Sequence, residues 1–358
     1  MIPYFLLVAL PVLARLISKK YRFTVGKRVI LETRAASIDI FMIIFMLLLG
    51  LRGVQCGNDT KQYLRLYNQY SVQSLAQLLN GYDHELGFKL LNRLVGIVAG
   101  NYQVLLMVTA VICVYPLWYF YKRESERQLL TIALFLTVAP YMLYFSGIRQ
   151  AIAVSMSVPA WYAAKNKKLF WFVMVVVMAM QFHTSAFILL LIYPLYSAKI
   201  TKKWLWFVVP CMATVFVFRT PIFNLLFTIL WKEYSMTAAT GATTILILLI
   251  MFGVYAYVLP DDKDMDKETI AMRNMLLLSI VIQIFAMLNP WSMRMNYYFL
   301  IFVPVLIPKI ANRGKMQYVQ IARLSVIVMT MFFMWYFINS VITDNDALNI
   351  FPYIPFWR

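Results

Sequence analysis

Charge is scarce in these 358 residues. Only 13% of them are charged, against 62% that are hydrophobic and 16% aromatic, and a water-soluble shell cannot hide that much apolar surface. This excludes a soluble globular enzyme and makes the chain an integral membrane protein. Acidic residues are scarcer still, 15 against 33 basic ones. The resulting +18 would suit nucleic acid only if it were gathered on a folded polar face with aromatic platforms, and no segment could form one, so no nucleic-acid partner is expected. Cysteine is rare: Cys56, Cys113 and Cys211 show no metal spacing, and only Cys56 falls in an outer loop. A disulfide framework and a zinc site are thereby excluded. The N-terminal apolar run has neither a basic region ahead of it nor a small-residue cleavage site, and reads as a retained anchor. Internal repeats and low-complexity stretches are also lacking, so a single integral membrane domain over residues 1–358 is expected.

What the chain does have is a succession of apolar runs, many approaching the roughly 20 residues that carry a helix across a hydrocarbon core. They predict an all-α polytopic bundle. Lys and Arg concentrate in short cytoplasmic loops. With a first span at about Ile2–Ile17 running inward, twelve spans put 23 of the 33 basic residues on one face, in clusters such as Lys19–Arg34, Lys122–Arg127, Lys165–Lys168 and Lys309–Arg323. The minority that breaks this bias includes Arg52, Arg149, Arg219 and Arg294.

The outer face carries a long segment from about Gly53 to Gly100, between a second span (about Ala36–Leu51) and a third (about Tyr102–Tyr121). Tyr63, Leu66, Tyr67 and Tyr70 fall at helical spacing, and Leu90, Leu91, Leu94, Val95 and Val98 alternate with polar residues, so both stretches predict amphipathic helices in the membrane interface. A second outer segment, about Arg219 to Ala242, holds Trp231, Glu233 and Tyr234. Between the Lys clusters at 165–168 and 199–203 lie about 30 residues, Leu169 to Ala198, and a single span would put one cluster on the wrong side. A short hairpin turning at His183 leaves both inside, with His183 below the outer surface and facing protein or a water-filled cavity.

Several of these residues also have plainer readings. Asp59 suits the N-cap of the Tyr63 helix, with Gln62 completing a capping box. Glu85 suits a helix start, Arg149 and Arg294 could extend to the outer interface, and Thr184 and Ser185 could cap the hairpin's second arm beside a hydrogen-bonded His183. Against these stands convergence: four arginines, His183, Asp59 and Glu85 all fall at span ends on one face. Guanidinium forks suit phosphate oxygens, and a carboxylate or imidazole suits deprotonation of a sugar hydroxyl. A lipid diphosphate at the outer leaflet fits that set. No cofactor is needed, and the acids lack compact ligand spacing, so no metal site is expected.

The order of RGVQCGNDTKQYLRLY, DHELGFKLL, FSGIRQAIA, FHTSA, KEYS, SMRMNYYF and FPY resembles the EpsG family, the Wzy-type exopolysaccharide and O-antigen polymerases of bacteria. The resemblance implies a GT-C-like glycosyltransferase architecture of about 12 transmembrane helices in the bacterial inner membrane, its site toward the outside. It implies polyprenyl-diphosphate-linked oligosaccharides as substrates in the lipid bilayer, with flippase and chain-length regulator proteins as partners. By that similarity Arg52, Asp59 and Tyr63 match the first motif, Glu85 the second, Arg149 and Gln150 the third, His183 the fourth, Tyr234 the fifth, Arg294 the sixth and Tyr353 the last. Phe351 stands where a tyrosine is expected. Asp59, Arg149, His183 and Arg294 are the expected catalytic residues; Arg52, Tyr63, Glu85, Gln150, Arg219, Tyr234 and Tyr353 are expected to bind substrate. The base stays open among His183, Asp59 and Glu85, as do the sugars and the stereochemical outcome.

Two other classes use similar residues. A membrane O-acyltransferase takes its acyl donor from the cytoplasm and needs inward-opening groups; a lipid-linked oligosaccharide flippase needs basic groups along a path through both leaflets. Reporters fused after Lys168 and after Lys203 are both expected to report cytoplasm. Opposite sides would remove the hairpin and the placement of His183 together.

Overall fold

The computed structural model describes residues 1–17, 22–25, 28–32, 36–81, 84–138, 140–230, 236–344 and 348–358. Its backbone contacts divide into two compact units, residues 1–137, 141–155 and 329–358 in the first and residues 138–140 and 156–328 in the second. The first holds α1 (Ile2–Ile17), a β-hairpin of β1 (Arg22–Val25) and β2 (Arg28–Glu32), α2 (Ser37–Leu51), α3 (Thr60–Tyr70), α4 (Leu75–Asn80), α5 (Leu86–Val98), α6 (Tyr102–Glu124), α7 (Gln128–Thr137), α8 (Leu143–Ser146) and α9 (Ile148–Ser155). The second holds α10 (Ser157–Lys165), α11 (Leu169–Met180), a 3₁₀ helix (Thr184–Leu191), α12 (Ile192–Ser197), α13 (Leu205–Val217), α14 (Arg219–Leu230), α15 (Ala242–Val258), α16 (Lys267–Ala286), α17 (Pro290–Leu300) and α18 (Val303–Asn312). The final helix, α19 (Val319–Ile342), is divided between the units.

The expected all-helical architecture is present, with one short hairpin beside it. RFTV and RVILE, rich in β-branched residues, pair antiparallel with Arg22 opposite Glu32. Among the described residues, three helices are long and apolar enough to cross a membrane: α6, α16, and the helical stretch Met316–Ile342 that contains α19. Counting each of two bent pairs as one span raises the number to five. Five further apolar helices, among them α1, α2 and α15, have only 10–17 residues. One bent pair is α17 and α18, which meet at 49° where Pro304 opens the second helix; proline cannot supply the N–H that would continue the first.

In the first unit α2 packs along α6. Asp39, in the first turn of α2, accepts hydrogen bonds from Trp118 Nε1 (2.7 Å) and Lys122 Nζ (2.8 Å) near the end of α6. The two helices therefore run antiparallel, and the start of one lies beside the basic end of the other. Rings fill the space behind α2: Phe45 meets Phe135 at 5.4 Å, and Tyr141 meets Phe145 at 5.5 Å, edge-on contacts that aromatic quadrupoles favour.

The outer segment forms α3, α4 and α5. The tyrosine spacing in α3 is a buried face, comprising Tyr63, Tyr67 and Tyr70. Polarity in α5 is reversed, with Lys89 and Asn92 buried while Leu90, Leu94, Ile97 and Val98 are exposed. Lys89 Nζ donates to the Gly81 carbonyl (2.6 Å) and Asn92 Nδ2 to the Phe88 carbonyl (2.7 Å). Such a helix is unstable in water and suits the membrane interface.

The hairpin expected between Leu169 and Ala198 turns at 181–183, where α11 ends and the 3₁₀ helix begins. Phe172 on α11 meets Tyr193 on α12 at 5.2 Å, which fixes the arms side by side. At the core of the unit, Ser279 donates to Asn296 (2.5 Å), Asn296 to Gln283 (2.8 Å), and Gln283 to the Ala242 carbonyl (3.0 Å). This chain ties α15, α16 and α17 together, as polar side chains do in helix bundles that lack a hydrophobic drive to associate.

The loops at 198–204 and 260–266 are joined through Arg273. Its side chain is fully buried, stands 4.0 Å from the Tyr257 ring centre, and donates to Asp262 (2.8 Å) and the Ile200 carbonyl (2.8 Å). Burial alone would raise the Asp262 carboxyl, but the Lys202 backbone N–H and the Arg273 guanidinium outweigh it and hold the group below the usual carboxylate range. A lowered folded value stabilises the fold above the unfolded carboxylate value of about 3.9, and the contribution disappears as pH falls through the folded one. Asp262→Asn is expected to destabilise the protein at neutral pH by roughly 1–3 kcal/mol, because the buried guanidinium keeps its place and loses its counter-ion. Unfolding midpoints of variant and parent should converge in acid; equal midpoints at neutral pH would mean that the pair contributes nothing.

Candidate functional site

The first unit's cluster is built on a glycine. Gly57 has φ +99°, and a Cβ there would stand 2.4 Å from the Phe145 carbonyl oxygen, so only glycine permits the approach. Around it Thr60 Oγ1 donates to the Cys56 carbonyl (2.8 Å), and the Asp59 N–H donates to Ser146 Oγ (3.2 Å). The motif holding Asp59 thus rests directly on the motif holding Arg149. A third segment closes the loop from the other side: Gly53, Gly57 and Asn58 N–H groups donate to the carbonyls of Ile354 (2.8 Å), Asn349 (2.9 Å) and Leu348 (2.9 Å).

Tyr63 lies one turn beyond Asp59 on α3, its ring 5.5 Å from that of Phe88 on α5. Burial pushes its hydroxyl up from the ordinary tyrosine range, while Arg149 pulls in the opposite direction. Arg149, in the first turn of α9, donates from Nη1 to Glu85 Oε2 (2.5 Å). Tyr63 is its other side-chain partner, and the guanidinium sits 5.9 Å from the Phe88 ring centre. Its buried Nε has no hydrogen-bond partner among the described residues. Four expected residues, Asp59, Tyr63, Glu85 and Arg149, are therefore neighbours.

The plainer readings fare differently. Asp59 does stand at the N-cap of α3, but in the helical region (φ −90°, ψ −5°) and with no side-chain cap; the contact with Ser146 sets its backbone. Glu85 holds the N-cap position of α5, again without capping, and its carboxylate turns to Arg149 instead. Arg149, mostly buried, turns to Glu85.

Two further arginines serve helix ends. Arg52 is buried at 1% exposure and donates to the Leu49 carbonyl within the last turn of α2; it borders a cavity of about 10 Å³ also lined by Cys113 and Tyr144. Arg219 donates to the Phe216 carbonyl (2.7 Å) at the end of α13. Tyr353 gives its hydroxyl to the Leu48 carbonyl (3.0 Å), Gln150 is buried, and Phe351 packs edge-on against Tyr4 at 4.7 Å. Tyr234 lies outside the described residues.

The remaining expected residues belong to the second unit. His183 caps the 3₁₀ helix with its own ring, whose Nδ1 accepts from the Ser185 N–H (3.3 Å) and lies 2.7 Å from Ser185 Oγ. Ser185 Oγ in turn lies 3.0 Å from the hydroxyl of Tyr298 on α17. Arg294, exposed on α17, is four residues before Tyr298 and shares its face. The expected list is therefore divided, with Asp59, Tyr63, Glu85 and Arg149 gathered in one unit and His183 and Arg294 in the other. Among the described residues, no group of three or more His, Cys, Asp or Glu could hold a metal ion.

Gly57, Phe88, Ser146 and Tyr298 were missed from sequence, although each lies within a motif that had been singled out, and Ser185 was read only as a cap. The signal for Tyr298 was its spacing of four from Arg294.

The EpsG family profile matches residues 37–354, a stretch that contains every residue named in both clusters. The chain belongs to the EpsG family. EpsG proteins are polysaccharide polymerases of exopolysaccharide biosynthesis, so membership implies a glycosyltransferase-like polymerase in general and, with the apolar helices, a membrane protein. No curated protein and no solved structure matches the chain.

The Arg149–Glu85 pair is about four-fifths buried on both sides and should act as a unit. A double-mutant cycle of Arg149→Ala and Glu85→Ala, read by thermal unfolding, is expected to give a coupling energy of about 1–2 kcal/mol. Simple additivity would make the contact incidental.

Proposed function

We propose that this EpsG protein transfers a growing glycan from a polyprenyl diphosphate to the next lipid-linked repeat unit, at the outer face of the bacterial plasma membrane. The observation that carries the reading is the first unit's cluster: a guanidinium held in a fixed orientation by Glu85 and Tyr63, with a half-buried carboxylate, Asp59, one helical turn from Tyr63. Among the described residues, the Asp59 carboxylate accepts no hydrogen bond.

In the proposed reaction the bond between the anomeric carbon and the diphosphate oxygen breaks, and its electron pair leaves with the diphosphate. The acceptor hydroxyl forms the new glycosidic bond, and its proton passes to Asp59. Of the three groups open at the level of sequence, Glu85 is engaged with Arg149 and the Nδ1 of His183 is engaged with Ser185, which favours Asp59 as base. Arg149 would stabilise charge on the leaving diphosphate. A diphosphate is already a good leaving group, so no general acid is assigned. The twelve-span topology, the GT-C-like architecture, and a flippase and chain-length regulator as partners remain part of this proposal.

With purified protein and a lipid-linked repeat unit, a ladder of polymer is expected on a gel, at undiminished rate in excess chelator. Asp59→Asn should lower turnover by about 10²-fold or more, the usual share of a general base, with an unchanged unfolding midpoint. Absence of polymer from the parent protein would overturn the reaction, activity lost in chelator and restored by a divalent cation would overturn its metal independence, and a near-silent Asp59→Asn would remove Asp59 as base.

A further inference from the structure

The first unit has a second polar hollow beside the Asp59 cluster. Where the chain leaves α2 and enters α6 there is a cavity of about 240 Å³, with Gln55, Asn101, Tyr102, Gln103, Phe356 and Arg358 in its lining. Sites for drug-sized ligands run to roughly 300–1,000 Å³, so this smaller volume suits a single ring. Gln55, Asn101, Phe356 and Arg358 are exposed and Tyr102 is buried, which gives the cavity an open rim and a closed wall. Lys122 and Arg123 stand at the other end of the 23-residue α6, about 34 Å away along the helix. By the positive-inside rule their end is cytoplasmic and the cavity is on the outer side.

Two amides in the lining have a fixed orientation. Gln103 Nε2 donates to the carbonyls of Gly50 (2.5 Å) and Arg52 (3.4 Å). A carbonyl can only accept, so the nitrogen is the atom facing α2 and Oε1 is left as an acceptor. Asn101 caps α6 by accepting from the Gln103 N–H (2.8 Å), which engages its oxygen and leaves Nδ2 as a donor. Among the described residues, neither of these remaining atoms has a hydrogen-bond partner, and the Gln55 and Arg358 side chains have none. The lining therefore offers an oriented acceptor and an oriented donor two residues apart.

That pattern selects a class of ligand. A sugar hydroxyl both donates and accepts, and neighbouring hydroxyls on one ring match an acceptor and a donor side by side. A diphosphate only accepts, and would leave Gln103 Oε1 against negative charge. Phe356 adds an apolar ring of the kind that receives the C–H face of a sugar. The Tyr102 hydroxyl donates to the carbonyl of Thr60 (3.0 Å), the residue after Asp59, so one side chain joins the cavity to the loop that holds the proposed base.

We infer that this cavity is a glycan subsite, which takes one sugar ring of the lipid-linked repeat unit and reads its hydroxyls through Gln55, Asn101 and Gln103. The source of the sugar rests on the polymerase reading above; the donor and acceptor pattern of the lining does not.

Cys56 and Cys113 are buried and Cys211 is exposed, so Gln55→Cys in a Cys211→Ser background places one accessible thiol at the rim. Its labelling by a water-soluble maleimide is followed on the full-length protein in lipid nanodiscs. Two probes are added separately: the free repeat-unit oligosaccharide, released from its lipid diphosphate by mild acid, and inorganic pyrophosphate. The oligosaccharide should slow labelling several-fold and pyrophosphate should not. Slowing by pyrophosphate alone would make the cavity an anion site, and slowing by neither would leave it without a glycan; either result overturns the inference. In the polymerisation assay, Gln55→Ala and Phe356→Ala should each raise KM for the repeat unit by about 2–10-fold, the scale of one net contact, and change kcat less. Both variants folded and both with the parent KM would also overturn it. If the parent protein makes no polymer, the polymerase reading falls, whereas the labelling experiment still decides whether the cavity takes a glycan.

Discussion

The approach of the Gly57 backbone to the Phe145 carbonyl is the constraint on which the first unit's site depends. With no side chain at Gly57, the loop that starts α3 can lie against the short helical turns that lead into α9. That single contact places Asp59 beside Ser146 and, one turn further along each helix, Tyr63 beside Arg149. Any larger residue at position 57 would push α3 away and separate four polar groups at once. The geometry of this candidate site comes from backbone proximity, with the side chains following.

Much of the helical pattern was legible in the sequence, and the reason for each failure is physical. The tyrosine spacing of α3 was read correctly because a row of three amphipathic rings can be buried on only one face. The leucine row of α5 gave the helix but not its orientation, because lipid accepts an apolar face as readily as a protein core does. Capping shows the limit of motif reading. Asp59 and Gln62 have the spacing of a capping box, as do Ser74 and Gln77, yet only the second pair forms one. Ser74 has extended backbone (ψ 159°) that swings its oxygen over the helix start, whereas Asp59 is held at ψ −5° by contacts 87 residues away in the chain. Local pattern could not foresee a long-range constraint.

The candidate site was legible as a set of residues and illegible as an arrangement. Nothing in sequence order separates Arg149 from Arg294, but the first is tied to a carboxylate and the second stands exposed on its helix. Arg52 and Arg219 looked equivalent to them because all four break the charge bias, and yet both satisfy helix-end carbonyls. A guanidinium at the end of a span has two ready employments, a ligand outside or the carbonyls of its own last turn. Only the backbone geometry decides between them.

The strand-like pairing of residues 53–58 with residues 348–354 has a consequence for how the protein is made. The ribosome delivers the loop around Gly57 long before its partners, and at roughly 5–20 residues per second the wait for Asn349 and Ile354 lasts on the order of tens of seconds. During that interval α1, α2 and α6 can already enter the bilayer, while the carbonyl partners of the Gly53, Gly57 and Asn58 amides do not yet exist. Membrane insertion and completion of the Asp59 loop are therefore separate events in the biosynthesis of this chain, and the second waits on nearly all of translation.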